Sequence, residues 1–125
     1  MIIGIGVDIV EVDRIAAALE RFGSRFAERV FTPAEVRYCD SKANRVERYA
    51  ARFAAKEAGF KALGTGWSRG IGWQEVVVER EASGRPTLVL RGRAGEFAAR
   101  LGAKHVFVSL SHTTTYAVAQ VVLEG

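Results

Sequence analysis

The sequence predicts an α+β fold in which a largely antiparallel sheet packs on helices, and three observations predict it. Apolar residues alternate with period two near both ends of the chain, as on strands that bury one face. A long central stretch repeats them at the helical period instead. Read in order, the elements run one strand, several helices, two strands, a helix and two strands, without the regular alternation of a parallel α/β sheet.

The first strand sets Ile3, Ile5 and Val7 against Gly4, Gly6 and Asp8, which gives one apolar face and one face stripped of side chains, with Asp8 on the stripped face. Such a face admits another backbone or a ligand at close range. Asp13 is placed to cap a helix reaching about Phe22, with Ile15, Leu19 and Phe22 inward and Gly23 as its stop. A short amphipathic piece, Ser24 to Phe31, follows. In "TPAE", Thr32 is an N-cap, Pro33 the first helical residue and Glu35 the third, which is a capping box.

Asn44 and Glu47 repeat that spacing ahead of a long helix ending near Leu63. On it Tyr49, Phe53, Phe60 and Leu63 share a face, Glu57 and Lys61 are i, i+4 neighbours along the edge, and Lys56 points nearly along the stripe. The Lys56 stem is expected to pack there while its ammonium reaches water or a carboxylate. "WQEVVVER" and "TLVLRG" read as strands joined by the turn "EASGRP". Ala94 to Leu101 reads as a short helix stopped by Gly102, and "HVFVSLSH" and "YAVAQVVLE" as a final strand pair around Thr113 to Thr115.

A chain of 125 residues, 49% apolar, is expected to form one domain over residues 1–125. Its net charge of +4 favours an acidic partner: nucleic acid, an anionic membrane, a phosphorylated small molecule or an acidic protein. Cys39 is the only cysteine, so neither an intrachain disulfide nor a cysteine-cluster metal site is possible, which fits a reducing cytoplasm. No run approaches the roughly 20 apolar residues of a membrane span, and glycines and acidic residues break the N-terminus too early for a signal peptide.

Among residues suited to chemistry, Asp8 alone reads equally as a strand-end carboxylate capping a turn and as a ligand group. Glu57 shifts the balance, because two carboxylates converging from a strand and a helix suit Mg²⁺ held together with waters and substrate phosphates. Two separated histidines and no cysteine pair argue against zinc. Lys61 would set a positive charge beside such phosphates, and Gly64 and Gly66 would let backbone approach a ligand. "GTGWSRG" is not a nucleotide P-loop, and "GIGVDIV" is not a dinucleotide fingerprint.

His112 closes "SLSHTTT", where a strand end and hydroxyl-rich turn offer donors to a phosphate or a base, or simply a structural turn histidine. Arg14, Arg21 and Arg25 have helical spacing, continued by Arg29. They read as a solvated face or as a docking surface for an acidic macromolecule at the rim of the proposed metal site. The residues alone leave open a Mg²⁺-dependent phosphodiesterase or nuclease and a non-enzymatic basic binding module. The latter would lack the exposed-aromatic strand motif of RNA-recognition domains.

The motifs "GIGVDIVEVDRI", "FTPAE", "RYAARFAAKEAGFKALGTG", "SGRP" and "VSLSHTTTYAVA", in this order and over the whole chain, resemble those of the holo-acyl-carrier-protein synthases, the short type of 4′-phosphopantetheinyl transferase. The resemblance implies that fold and a transferase of fatty acid biosynthesis. It would move the 4′-phosphopantetheine arm of coenzyme A to a serine of apo-acyl carrier protein and release adenosine 3′,5′-bisphosphate. It implies Mg²⁺ on Asp8 and Glu57, Lys61 beside the pyrophosphate, and Glu57 and Lys61 as the catalytic pair, with Glu57 or a metal-held water as the base. Gly64, Gly66, Gly84, Arg85, Pro86, His112 and Thr113 would line the coenzyme site, Arg45 and Arg52 would reach coenzyme phosphates, and Arg14, Arg21 and Arg25 would dock the acidic carrier protein.

Short members of the family are trimers with sites between subunits, and this chain shows no internal repeat. The expectation is therefore a cytoplasmic homotrimer whose partners are coenzyme A and apo-acyl carrier protein, with no nucleic acid and no membrane. In it the "SGRP" turn and His112 of one copy would complete the site begun by Asp8 and Glu57 of the next.

Overall fold

The computed structural model describes residues 1–65 and 70–125. Strand β1 (Ile2–Glu11) leads into helices α1 (Val12–Phe22), α2 (Ser24–Val30), α3 (Pro33–Asp40) and the 19-residue α4 (Arg45–Leu63). A 3₁₀ turn at Trp73–Glu75 precedes β2 (Val76–Arg80), β3 (Pro86–Leu90), α5 (Gly92–Leu101), β4 (His105–His112) and β5 (Tyr116–Glu124). The α+β class holds, and every strand pair described is antiparallel: one sheet has the order β1-β5-β4 and the other is the β2-β3 hairpin.

Helix α4 is the axis on which both sheets sit. Half of its buried residues are alanines, namely Ala50, Ala51, Ala54, Ala55, Ala58 and Ala62, which combine high helix propensity with small volume. Small side chains permit close approach on two sides. On one, a Cβ added at Gly6 would collide with the Ala58 carbonyl oxygen and one at Gly4 with that of Ala62. On the other, a Cβ at Gly59 would stand 2.9 Å from Val76 Cγ1 of the hairpin. Gly64 ends α4 in the left-handed region at φ 78°, as its position after Leu63 requires.

The stripped face of β1 therefore receives backbone, and the apolar face points out. Ile5 is 55% exposed and Ile9 65%, and they share that face with Phe107 and Val118 across the ladder. Alternation reveals that two faces differ but not which one turns inward, and here the closeness of α4 selects the glycine side.

The capping box of α3 forms as the sequence predicts: Thr32 N donates to Glu35 Oε1 at 2.8 Å, and Glu35 N to Thr32 Oγ1 at 3.2 Å. Glu35 then does more than cap. Its Oε2 accepts from Val78 N at 2.7 Å, and its Oε1 lies 2.9 Å from Lys56 Nζ, which also donates to the carbonyls of Val76 at 2.7 Å and Trp73 at 3.1 Å. Lys56 is wholly buried, so its ammonium meets a carboxylate and two carbonyls rather than water. This satisfied pair ties α3, α4 and β2 together, and removing either partner would strand the other charge in the core.

Four local expectations are corrected. The strand expected over "WQEVVVER" begins only at Val76, because Trp73–Glu75 form a 3₁₀ turn. Asp13 does not cap α1: the helix starts at Val12, whose N–H is already taken by Thr115 O at 2.9 Å as an extension of the β ladder, and Asp13 sits in the first turn. Asn44 does not close a capping box on α4, because its Oδ1 accepts from Arg48 Nε at 3.2 Å. Phe22 is not inward. Helix α1 buries itself through Val12 and Ile15 near its start, and its far end projects with Phe22 49% exposed.

Gly6→Ala is expected to lower stability by about 1–3 kcal/mol through overpacking against Ala58, although alanine in a strand otherwise gains over glycine. The urea midpoint reads this, and an unchanged or raised midpoint would mean that α4 does not seat on Gly6.

Candidate active site

The strand that brings Gly6 against α4 carries Asp8 on the same face two residues later. Lys61 Nζ lies 3.1 Å from Asp8 Oδ1 and 3.0 Å from the Val7 carbonyl oxygen. Although Glu57 and Lys61 are i, i+4 neighbours, Lys61 turns to the strand. Glu57, one turn earlier, is half-buried, and no hydrogen bond or ion pair to its carboxylate occurs among the described residues. Burial raises the Glu57 pKa and the Asp8 charge raises it further, while Lys61 and Arg14 pull it down.

Two carboxylates that repel one another, beside a lysine, suit a hard divalent cation. No group of three or more His, Cys, Asp or Glu side chains gathers among the described residues. Protein would then supply two ligands, Asp8 and Glu57, and leave the remaining positions to waters and phosphate oxygens, which is the habit of Mg²⁺ rather than of structural zinc.

A second cluster forms toward the start of α4. Arg48 and Arg52 join Arg80 of β2, Gly84 and Pro86 of the hairpin turn, and Leu110, Ser111 and His112 of β4 around a cavity of ≈ 290 Å³. The turn closes through Glu81 N to Arg85 O at 2.9 Å and Gly84 N to Glu81 O at 2.8 Å, with Gly84 at φ 92°, where a side chain would be strained. Arg52 is only 3% exposed, and its guanidinium stacks 4.2 Å from the centre of the Tyr38 ring. Tyr38 also receives hydrogen bonds from Arg48 and Arg80 at its hydroxyl.

The other expected coenzyme residues are placed less directly. Thr113 Oγ1 is engaged in its own turn, accepting from Thr115 N at 3.1 Å and Tyr116 N at 3.0 Å. Arg45 is held by Asp40 at 3.1 Å and lies over the Tyr49 ring, away from the cavity. Arg85 is exposed at the hairpin tip, Gly64 is exposed at the end of α4, and Gly66 lies outside the described residues. Sequence reasoning missed Arg48, Arg80 and Glu47. The i, i+4 spacing of Arg48 and Arg52 was a usable signal, whereas Arg80 enters only through the hairpin's tertiary position.

Along α4 the nearest members of the clusters, Arg52 and Glu57, are separated by a rise of roughly 7.5 Å and a turn of about 140°, so they face different sides of the helix. One chain therefore carries two half-sites without joining them. On α1 and α2, Arg14, Arg21 and Arg25 are exposed. Phe22, Arg25, Phe26 and Arg29 line a cavity of ≈ 380 Å³ beside them. Cys39 takes no part in chemistry, being fully buried with its thiol pushed up to about 12 by burial.

Residues 4–121 match the model of the 4′-phosphopantetheinyl transferase superfamily. The chain is 58% identical over 124 residues to the holo-[acyl-carrier-protein] synthase of Koribacter versatilis, covering 99% of each chain. It is 52% identical to that of Solibacter usitatus, covering all of both. Its fold superposes on the holo-[acyl-carrier-protein] synthase of Neisseria meningitidis with a TM-score of 0.91 at 34% identity, over the full length of both. The Helicobacter pylori synthase, solved in complex with coenzyme A, matches with a TM-score of 0.84 at 30% identity, over 96% of this chain and 99% of that one. With glycines seating α4 on β1 so that Asp8, Glu57 and Lys61 converge, and with this match end to end, the chain belongs to the 4′-phosphopantetheinyl transferase superfamily and is a transferase of the holo-[acyl-carrier-protein] synthase type.

Proposed function

We propose that this chain transfers the 4′-phosphopantetheine group of coenzyme A to a serine of apo-acyl carrier protein, releasing adenosine 3′,5′-bisphosphate, as a step that supports fatty acid biosynthesis in the cytoplasm. The observation that carries the reading is the convergence of Asp8, Glu57 and Lys61 beside one end of α4. The nuclease and binding-module readings yield to the family match.

Asp8 and Glu57 would hold Mg²⁺, which supplies charge neutralisation on the pyrophosphate when bound. Lys61, already beside Asp8, adds a second positive charge where the leaving phosphate develops its own. Glu57 or a water held by the metal would take the serine hydroxyl proton. Gly64, with Gly66 beyond it, lets the pantetheine arm pass the end of α4. Gly84, Pro86, His112, Thr113 and Arg52 take the nucleotide end of the coenzyme, with Arg85 folding in from the hairpin tip and Arg45 reaching in after it releases Asp40.

The carrier protein docks on Arg14, Arg21 and Arg25. Arg14 is near enough to Glu57 to lower its pKa, so the row borders the chemistry. The exposed Phe22 and the adjoining cavity offer that acidic protein an apolar contact among the arginines. Among the described residues no helix is long and apolar enough to cross a membrane.

The working unit is a cyclic homotrimer of single-domain chains. Two observations support it: the two half-sites face different sides of α4, and the outer face of the β1-β5-β4 sheet exposes Ile5, Ile9, Phe107 and Val118 as an apolar patch. In the trimer the hairpin and His112 of one copy complete the site begun by Asp8 and Glu57 of the next.

Mass spectrometry of apo-acyl carrier protein incubated with coenzyme A and Mg²⁺ tests the reaction, and a serine-linked phosphopantetheine adduct is expected. Asp8→Asn and Glu57→Gln should each lower transfer by about 100-fold or more with the unfolding midpoint little changed. Wild-type turnover by either at ordinary Mg²⁺ would sink the metal assignment. Arg14→Glu and Arg21→Glu should raise KM for the carrier protein, increasingly so at low salt, and leave KM for coenzyme A unchanged; equal effects on both substrates would exclude a docking role. For the shared site, Glu57→Gln chains refolded together with an Arg85→Ala/His112→Ala double variant should regain activity, since some sites then have both walls intact. A monomer by light scattering, or inactive mixed trimers, would reject it.

A further inference from the structure

Among the described residues, one buried side-chain polar atom has no hydrogen bond: Nδ1 of His112. It faces Glu47 of α4, whose Oε1 is 3.7 Å away, and both side chains are about one-fifth exposed. The ring itself borders the ≈ 290 Å³ cavity, so Nδ1 is the inner nitrogen and Nε2 the one left for a ligand. The charged groups around this ring are Glu47, Arg48 and Arg52 from α4 and Arg80 from β2; Gly84, Pro86 and, on β5, its ladder partner Ala117 bring no side-chain charge. Glu47 is thus the carboxylate set against three guanidiniums, and the reaction as proposed gives it no task.

We propose that Glu47 is a positioning residue for coenzyme binding: it accepts the Nδ1–H of His112 and holds the imidazole with Nε2 directed at the phosphate of the coenzyme that does not react. The inference rests on the proposal that coenzyme A is the donor substrate. Coenzyme A carries a pyrophosphate and a separate ribose phosphate. Asp8, Glu57 and Lys61 serve the pyrophosphate, because the bond that breaks lies there. The ribose phosphate then falls to the arginine and histidine cluster.

A phosphate oxygen only accepts, so Nε2 must donate to it, and with Nδ1–H given to Glu47 the ring must carry both protons. Arg48, Arg52 and Arg80 set only positive charge around the ring, and the Glu47 carboxylate is the acceptor that faces Nδ1 and fixes which nitrogen turns inward. Glu47 supplies the missing negative charge. The 3.7 Å separation needs to shorten by about 0.8 Å to reach ordinary hydrogen-bond length, and such contacts commonly tighten when the ligand arrives. Because the ribose phosphate is the group read, this pair also sets the preference for coenzyme A over 3′-dephospho-coenzyme A.

The test uses the full-length protein with Glu47→Gln, which keeps shape and an acceptor oxygen but removes the charge, and with Glu47→Asp, which keeps the charge on a shorter stem. Glu47→Gln is expected to raise KM for coenzyme A about ten-fold, the loss of one charge-assisted contact, with kcat within about two-fold of wild type and KM for 3′-dephospho-coenzyme A unchanged. Glu47→Asp should recover part of the preference. Ring ¹⁵N spectra of the coenzyme complex should show the His112 Nδ1 proton in a charge-assisted hydrogen bond in wild type and that resonance shifted in Glu47→Gln. An unchanged ratio between the two donors, an equal rise in KM for both, or an unchanged Nδ1 resonance in Glu47→Gln would each overturn the role of Glu47 and leave the transferase reading intact. A wild-type protein that transfers nothing from coenzyme A would overturn that reading and with it the present inference.

Discussion

Backbone lies on backbone where Gly4 and Gly6 of β1 face the carbonyls of Ala62 and Ala58 in α4, and the active-site geometry follows from that contact. Two strand residues advance about 6.8 Å and four helical residues about 6 Å, so the strand and helix stay in step as they pass in opposite directions. Continued by two more residues, β1 sets Asp8 beside the turn preceding Ala58. Helical side chains lean toward the helix N-terminus, so Glu57 and Lys61 both project toward that turn. A larger residue at Gly6 would force the elements apart and spread the three groups whose closeness makes the site. The glycines that look like a weakness in the strand are therefore what lets a carboxylate from a strand meet one from a helix.

The K-E-x-x-x-K pattern of α4 divides its labour by rotation. Lys56 is turned about 100° from Glu57 and enters the core, where Glu35, Trp73 O and Val76 O take all three of its protons. Burying an ion pair stabilises little against an apolar alternative. Its effect is specific placement: it fixes where the hairpin leaves the 3₁₀ turn relative to α4, and Arg80, Gly84 and Pro86 on that hairpin are walls of the second half-site. Glu57 and Lys61 stay at the surface for chemistry. Neighbouring charges in one motif thus act on different faces of the same helix.

What was legible in the sequence was local. The Thr32 to Glu35 capping box, the Gly64 and Gly102 stops and the strand alternations depend on a few adjacent residues, and they form as read. Asp13 and Asn44 carry the same local signals and fail, because Thr115 O already satisfies the start of α1 and Arg48 claims the Asn44 side chain. The inward side of β1 was not legible, since period two is symmetric between its faces. In the candidate site Asp8, Glu57, Lys61, Gly84, Pro86, Arg52 and His112 fall in the two clusters, whereas Arg45 points elsewhere. Arg80, Arg48 and Glu47 acquire meaning only when α4, β2 and β4 converge, which no spacing in the chain announces.

The two half-sites and the outward apolar face point to one constraint. A helix of 19 residues is about 28 Å long, and it carries Arg48 and Arg52 in its first half and Glu57 and Lys61 in its second. A single coenzyme cannot lie along one helix and meet both, because the groups face different sides. In the proposed trimer, a second copy packed against the exposed face of β1 would supply the cluster that a single chain holds apart. It also covers Ile5, Ile9 and Val118, which a lone chain would leave in water. Assembly and catalysis would then share a cause: the inward glycine face that gathers Asp8 with Glu57 is the same choice of strand orientation that turns the apolar face out to meet a neighbour.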